Sequence, residues 1–185
     1  MESVWEQSLA GSNPVPSALN RNRVWGQVRI LSLPLWYQKA LPGAFFGILD
    51  SMNTFFIALV ASFTTILALD VVWISTMAQR FYGRHIGHLL AEGPNFIPAG
   101  VFYLLYAAAI TFFVVMPGVQ GNSGFLKVFL MGVFLGIAAY GTYDLTNQAT
   151  LKSWPTIVSA VDIAWGGLLT GVAGLVAVAV TRYFS

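Results

Sequence analysis

Cysteine is absent from the sequence and charged residues are scarce: only 9 % of the 185 residues are Asp, Glu, Lys or Arg. The lack of cysteine excludes disulfides, thiolate metal sites and cysteine nucleophiles from this chain. Soluble domains carry about 25 % charged residues, so the shortage of charge argues against an ordinary globular protein. The formal net charge of +2 is too small to indicate a nucleic-acid partner. With 57 % hydrophobic residues, the composition instead indicates an integral membrane protein.

The charged residues leave four long stretches that carry at most one formal charge each, apart from their ends. A helix needs about 20 mostly apolar residues to cross a hydrocarbon core of roughly 30 Å, and each stretch is long enough. We therefore predict an all-α integral membrane bundle of four transmembrane helices. The helices are expected at residues 53–78, 96–117, 126–150 and 156–181. Clustered Pro, Gly, Asn and Ser after residue 116 and the Trp154-Pro155 pair separate the last three helices.

Residues 1–50 differ in composition from residues 51–185, which form the predicted transmembrane domain. Several basic residues and four prolines are spread through this first segment, and no acid lies between Gln7 and Leu49. The prolines argue against one long helix, and the tryptophans are typical of a membrane interface. We predict a mostly irregular N-terminal arm that contacts the lipid bilayer or another membrane subunit. An organellar targeting sequence is the alternative interpretation.

Three aspartates lie inside the predicted helices, at Asp70, Asp144 and Asp162. Counting 1.5 Å per residue from the helix ends places all three roughly 12–15 Å from the same membrane side, in one layer. Because an ionisable group in a bilayer is costly, we expect this layer to face the bundle interior. Tyr140 and Asn147 lie at helical spacing from Asp144 and are its expected hydrogen-bond partners. The complete predicted layer adds Trp73, Tyr103, Tyr106, Tyr140, Asn147 and Trp165 to the three aspartates.

The aspartate layer has three interpretations. The aspartates tie the helices together as neutral or hydrogen-bonded acids, they bind a proton or a cation, or they bind a polar ligand or a lipid head group. No lysine or arginine lies at their depth in the predicted helices. Each aspartate is therefore protonated, hydrogen-bonded or paired with a bound cation.

One segment of the third predicted helix is the most specific feature of the sequence. The run Tyr140-Gly141-Thr142-Tyr143-Asp144-Leu145-Thr146-Asn147, followed by Leu151 and Trp154-Pro155, resembles the signature of the small four-helix membrane proteins grouped as domain of unknown function 2177. Further matches are Leu69-Asp70, Trp73, Phe81-Tyr82, Ile86-Gly87, Pro98-Ala99, Phe102-Tyr103, Tyr106, Asp162 and Trp165-Gly166. The resemblance covers residues 53–181 and implies the fold but no activity. The N-terminal arm is longer than the family's usual start.

Two weaker signals lie outside the aspartate layer. His85, His88 and Glu92 follow the first predicted helix and are candidate metal ligands, because imidazole and carboxylate groups bind metals. The preferred interpretation of these three residues is an interfacial loop that contacts lipid head groups. The motifs Gly132-x-x-x-Gly136 and Gly167-x-x-x-Gly171 allow helices to approach closely, and we expect this packing inside the bundle.

No motif in the sequence assigns an activity. Because the sequence has neither a phosphate-binding loop nor a zinc-protease motif, we name no catalytic residue and no cofactor and expect that the protein is not an enzyme. We predict a multi-pass protein of an organellar inner membrane or a bacterial cytoplasmic membrane that serves as a non-catalytic accessory subunit of a larger membrane assembly. The alternatives are a proton- or cation-coupled transport protein that uses the aspartate layer, and a lipid-binding or lipid-modifying protein.

Overall fold

The computed structural model describes the backbone of residues 35–185 and the side chains of residue 45 and residues 47–185. It divides the chain into two compact units, Met1–Phe46 and Gly47–Ser185. The predicted N-terminal arm falls largely on residues that lie outside this description. Its last part is helical, because the first helix begins at Leu35 rather than near residue 53. Pro42 lies inside this helix. A proline in a helix interior removes one backbone hydrogen bond and can kink the helix, but it does not prevent helical turns on both sides.

The described residues form four long helical stretches. The four main helices are α1 (Leu35–Met77), α2 (Phe96–Ile110), α3 (Phe125–Thr150) and α4 (Thr156–Phe184). A π-helical segment, Ala78–Tyr82, and one α-helical turn, Gly83–His85, continue α1. Likewise, a π-helical segment, Thr111–Val115, and a short α-helix, Met116–Gln120, continue α2. No strand occurs between residues 35 and 185.

All four stretches are long and apolar enough to cross a membrane. The prediction of a four-helix membrane protein is therefore confirmed for the described part of the chain. The stretches are Gly47–His85, Phe96–Gln120, Phe125–Thr150 and Thr156–Phe184. The second one continues past Pro117, where the sequence predicted its end. Pro117 lies in the first turn of the short helix Met116–Gln120, a position where a missing N–H is tolerated.

Side-chain hydrogen bonds hold two of the connections between the helices. The side chain of Asn95 accepts a hydrogen bond from the Ile97 N–H (3.1 Å) and so caps the start of α2. The turn before α3 contains Asn122 in the left-handed region, with a φ of 42°. The guanidinium of Arg182 in α4 donates to the carbonyl oxygens of Gly118 (2.9 Å) and Ser123 (2.7 Å). Arg182 therefore holds this turn and the end of the second span against α4.

Glycines form the contact between α3 and α4. A Cβ atom added to Gly136 would overlap the backbone carbonyl of Gly166, and one added to Gly132 would lie 2.7 Å from the carbonyl oxygen of Thr170. Both positions therefore require glycine for the backbones to approach this closely. The two small-residue motifs serve packing inside the bundle, as the sequence predicted.

The outward faces of the helices carry large apolar side chains. Leu105, Phe112, Leu126 and Phe134 are all more than 60 % exposed, although each lies within a candidate span. An apolar surface of this kind suits contact with lipid acyl chains. One pair of polar groups lies inside the bundle: Thr111 of the second span donates to the Ser62 hydroxyl of α1 (3.3 Å), and both side chains are fully buried.

Candidate ligand cavity

Two short motifs with the same spacing, Asp70–Trp73 on α1 and Asp162–Trp165 on α4, form the centre of the candidate site. In each motif the aspartate and the tryptophan are three residues apart and share one helix face. The indole rings of Trp73 and Trp165 stack with centroids 4.2 Å apart and an interplanar angle of 8°. The stacked pair brings the two motifs together.

Asp70 accepts hydrogen bonds from two other helices. The indole Nε1 of Trp165 in α4 donates to its Oδ1 atom (2.9 Å), and the hydroxyl of Tyr103 in α2 donates to its Oδ2 atom (3.1 Å). Asp70 is only 6 % exposed. Its carboxyl group therefore ties α1, α2 and α4 together.

Asp162 receives its hydrogen bond from a residue that the sequence analysis did not assign to the site. The hydroxyl of Tyr82 donates to the Oδ1 atom of Asp162 and accepts from the Nε1 atom of Trp73 (2.9 Å). Tyr82 is the last residue of the π-helical segment that continues α1. Wider π-helical turns shift the register of a helix and are frequent at functional sites.

The two motifs thus pair crosswise, although by different routes. Trp165 of one motif contacts the aspartate of the other motif directly. Trp73 reaches Asp162 through the Tyr82 hydroxyl. The equal spacing of aspartate and tryptophan in the two motifs is therefore matched by a crosswise pairing between α1 and α4.

A cavity of about 470 Å³ lies beside the stacked tryptophans. It contains six of the nine predicted layer residues and five others. The lining residues are Asp70, Trp73, Ile74, Tyr82, Phe102, Tyr103, Ala139, Tyr140, Tyr143, Asp162 and Trp165. All four spans contribute to its wall, and none of these lining residues is basic.

The cavity opens on the outer surface of the helices. Ile74 of α1, Phe102 of α2 and Tyr143 of α3 line it and are themselves exposed, at 49 %, 45 % and 60 %. All three lie within candidate spans. The mouth of the cavity therefore lies on the outer surface of the candidate spans.

Two predicted tyrosines of the layer have different roles. Tyr140 lines the cavity, and its ring occupies the space where a side chain on Gly166 would otherwise lie. Tyr106 is buried and its hydroxyl lies 2.6 Å from the Thr170 Oγ1 atom. Because the Thr170 hydroxyl donates to the Gly166 carbonyl (2.7 Å), Tyr106 is the donor in this pair. Tyr106 supports Tyr140 by an edge contact (6.2 Å between ring centroids) rather than by lining the cavity.

Asp144 and Asn147 do not line the cavity. Asp144 is fully buried, but neither of its carboxyl oxygens has a hydrogen-bond partner among the described residues. The expectation that Tyr140 and Asn147 hydrogen-bond to it is therefore wrong. The physical reason is that the Tyr140 ring packs across the α3–α4 contact against Gly166 and Tyr106, away from its own helix.

The candidate metal ligands after the first span do not come together. The Nδ1 atom of His85 lies 2.8 Å from the Phe81 carbonyl oxygen. His88 lies in a 3₁₀ turn and Glu92 in an exposed non-helical segment, so the two do not share a helix face. Within the described part of the chain, no group of three or more His, Asp or Glu side chains is placed to hold a metal ion.

Comparison with known proteins assigns the membrane domain to a family. Residues 55–179 match the family model DUF2177, described as a predicted membrane protein. The chain belongs to this family. No curated protein and no solved structure matches it. It is therefore a multi-pass membrane protein of the DUF2177 family, and the resemblance found in the sequence is confirmed.

The sequence did not identify every residue of the cavity wall. Tyr82, Phe102 and Tyr143 were noted as family matches, but not as site residues. No sequence signal could have assigned Tyr82 to the site, because it lies nine residues after Trp73 and a regular helix places that position on another face. Only the π-helical turn brings the side chains of Trp73 and Tyr82 together, and no sequence pattern predicts that turn.

Proposed function

We propose that the protein binds a lipophilic cation, an amphipathic molecule with a positively charged head group, in the cavity between its four spans. The observation that carries the proposal is the charge of the wall: two carboxyl groups, Asp70 and Asp162, and no basic side chain among the lining residues. An anionic head group would meet like charges there, whereas a cation would neutralise them in a medium of low dielectric constant.

Aromatic rings support the same ligand class. Seven of the lining residues are aromatic: Trp73, Tyr82, Phe102, Tyr103, Tyr140, Tyr143 and Trp165. The faces of Trp and Tyr rings attract ammonium groups, and this attraction is strongest where water is excluded. Carboxyl groups beside aromatic faces therefore favour an alkylated ammonium head group, which is poorly hydrated, over a small metal ion.

The position of the mouth determines the shape of the ligand. Ile74 and Phe102 are apolar, exposed and within the spans, so a molecule whose head lies in the cavity extends its tail past them into lipid. The proposal thus joins two of the alternatives drawn from the sequence, a cation site and a lipid-binding site.

The proposal is tested by calorimetric titration of the full chain in lipid nanodiscs with octyltrimethylammonium. Octyldimethylamine oxide, which has the same tail and no net charge at neutral pH, is the control ligand. We expect saturable binding of the cation alone. Asp162→Asn should weaken the binding at least about ten-fold, because a neutral amide replaces one of the two carboxyl groups that attract the cation.

The matched control is Asp50→Asn, which makes the same change at an exposed carboxyl that does not line this cavity. It should leave the affinity unchanged. Equal binding of the charged and uncharged ligands, or an equal loss of affinity in both variants, would contradict the proposal.

The accessory-subunit hypothesis stays a prediction. It depends on the N-terminal arm, most of which lies outside the described residues. Removal of residues 1–40 should abolish co-purification with a membrane partner and preserve the folded four-helix domain. If the truncated chain keeps every partner, the arm does not serve assembly.

A further inference from the structure

Asp144 is an acid in a fully enclosed position. Its side chain is completely buried, and both of its oxygen atoms lack hydrogen-bond partners within the described structure. Its backbone carbonyl accepts a long hydrogen bond from the Ser159 hydroxyl of α4 (3.4 Å), and that hydroxyl accepts one from the Trp154 indole (3.0 Å). Asp144 therefore lies in the α3–α4 contact, close to the turn that joins these helices.

The surroundings of Asp144 differ from those of the two carboxyl groups in the cavity. Asp70 accepts two hydrogen bonds and Asp162 accepts one, and such donors stabilise an ionised carboxylate. Among the described residues, no donor serves Asp144. Burial without a donor disfavours the ionised form of a carboxyl group, so Asp144 favours its protonated form, whereas the donors at Asp70 and Asp162 help those two groups to carry charge.

Asp144 does not line the cavity, but it lies on α3 next to residues that do. Tyr143 precedes it in the sequence and lines the cavity, as does Tyr140 one turn earlier on the same helix. On α4, Ser159 contacts its backbone and lies one turn before Asp162. Two titratable groups on other elements interact electrostatically with Asp144. Asp162 of α4 acts on the Asp144 carboxyl, and the charge of Asp144 acts on Tyr82 of the π-helical segment.

We propose that Asp144 is a proton-binding site that releases its proton when a lipophilic cation occupies the cavity. The O–H bond of the carboxyl group breaks, its electron pair stays on the carboxylate, and the proton passes to water. One positive charge enters as one leaves, so the net charge of the membrane domain is unchanged. Because opposite charges attract strongly at low dielectric constant, the bound cation favours the ionised form of the neighbouring carboxyl.

This inference rests on the proposed cation cavity, and one experiment separates the two. The full chain in nanodiscs is titrated with octyltrimethylammonium, whose charge is permanent, in two buffers of different ionisation enthalpy. The heat gives the affinity, and the difference between the buffers gives the number of protons released. We expect net release of protons, up to one per cation bound, by linkage between the two sites.

Asp144→Asn keeps the shape of the side chain and removes its ionisation, so it should bind the cation without releasing a proton. Asp50→Asn, changed at an exposed carboxyl, should bind and release as the unaltered chain does. Binding without proton release by the unaltered chain would overturn the inference and leave the cavity proposal standing. Proton release that persists in Asp144→Asn would assign the proton to another group and also overturn it.

Absence of any binding by the unaltered chain would overturn both proposals together. If Asp144→Asn does not fold, infrared difference spectroscopy of the unaltered chain decides the question. Addition of the cation should then bleach the carbonyl band of a protonated carboxyl group and produce a carboxylate band. A spectrum without that bleach would contradict the inference.

Discussion

The α3–α4 contact and the cavity beside it are adjacent regions of one membrane domain, yet they are built from opposite kinds of residues. Glycines at positions 132, 136 and 166 let the two helices approach until nothing fits between them. Across the cavity, the stacked rings of Trp73 and Trp165 bridge α1 and α4 and leave a space of about 470 Å³ beside them. Small residues close an interface, whereas large rigid rings that pack on one another keep one open.

The two regions meet at Gly166. A Cβ atom there would overlap the ring of Tyr140, which lines the cavity. Gly166 therefore serves both regions: its backbone lies against Gly136, and the absence of its side chain leaves room for an aromatic ring of the wall. Changes in the closed region should consequently affect folding, and changes in the open region should affect ligand binding more than folding.

The largest effect on stability is expected from Gly136→Ala, which adds a methyl group inside the α3–α4 contact. The added methyl group would overlap the Gly166 backbone, and backbone atoms cannot move away by a change of rotamer. We expect a loss of about 3 kcal/mol, the upper part of the usual range for overpacking. The measurement is the free energy of unfolding in a mild detergent.

Gly100→Ala is the matched control for that change. Nothing lies within 4 Å of a Cβ atom at Gly100, and this residue is inside α2. The substitution should leave stability unchanged or raise it by about 0.5–1 kcal/mol, because alanine favours a helix over glycine. Equal losses in both variants would show that the α3–α4 contact is not specifically tight.

A smaller loss is expected from Asp70→Ala at the edge of the open region. The change removes the acceptor for Trp165 and Tyr103. Leaving a fully buried donor unpaired costs about 1–3 kcal/mol, so for these two half-buried donors we expect a loss of about 1 kcal/mol, which thermal unfolding would measure. The same substitution at the exposed Asp50 should change stability by no more than about 0.5 kcal/mol. If Asp70→Ala leaves the thermal stability unchanged, Asp70 does not hold the three helices together.

The smallest effect on stability is expected from Tyr82→Phe, which interrupts the route from Trp73 to Asp162. One hydroxyl with two hydrogen bonds is lost, at a cost of about 1 kcal/mol. Tyr143→Phe is the control, since Tyr143 lines the same cavity and is largely exposed. Cation affinity should change in Tyr82→Phe more than in Tyr143→Phe. The reverse order would remove Tyr82 from the site.

The sequence predicted the spans well because their signal is local. Uncharged runs and the breaks around residues 121 and 154 define where helices cross a membrane, and α3 and α4 begin within a residue of their expected starts. The start of α1 was placed too late, since the prolines before residue 50 were weighted as helix breakers. A single Pro42 inside α1 did not end the helix.

The candidate site was predicted only in part because its details depend on contacts between helices. The cavity wall combines Asp70, Asp162 and the two stacked tryptophans, all of which depth counting assigned to one layer. Depth counting cannot determine which way a ring turns. Helical spacing likewise gave Asp144 partners that it does not have among the described residues, and depth counting missed Tyr82, whose position depends on a π-helical turn.

The most direct test of the central claim, that the cavity holds a lipophilic cation, is a crystal structure of the chain with an iodinated tail analogue of octyltrimethylammonium. We expect an anomalous iodine peak outside the mouth, near Phe102 and Tyr143. Density for the head group should lie beside Asp70 and Asp162. Iodine only in the apolar groove between α1 and α4 that Phe56 and Val176 line, with no head group in the cavity, would contradict it.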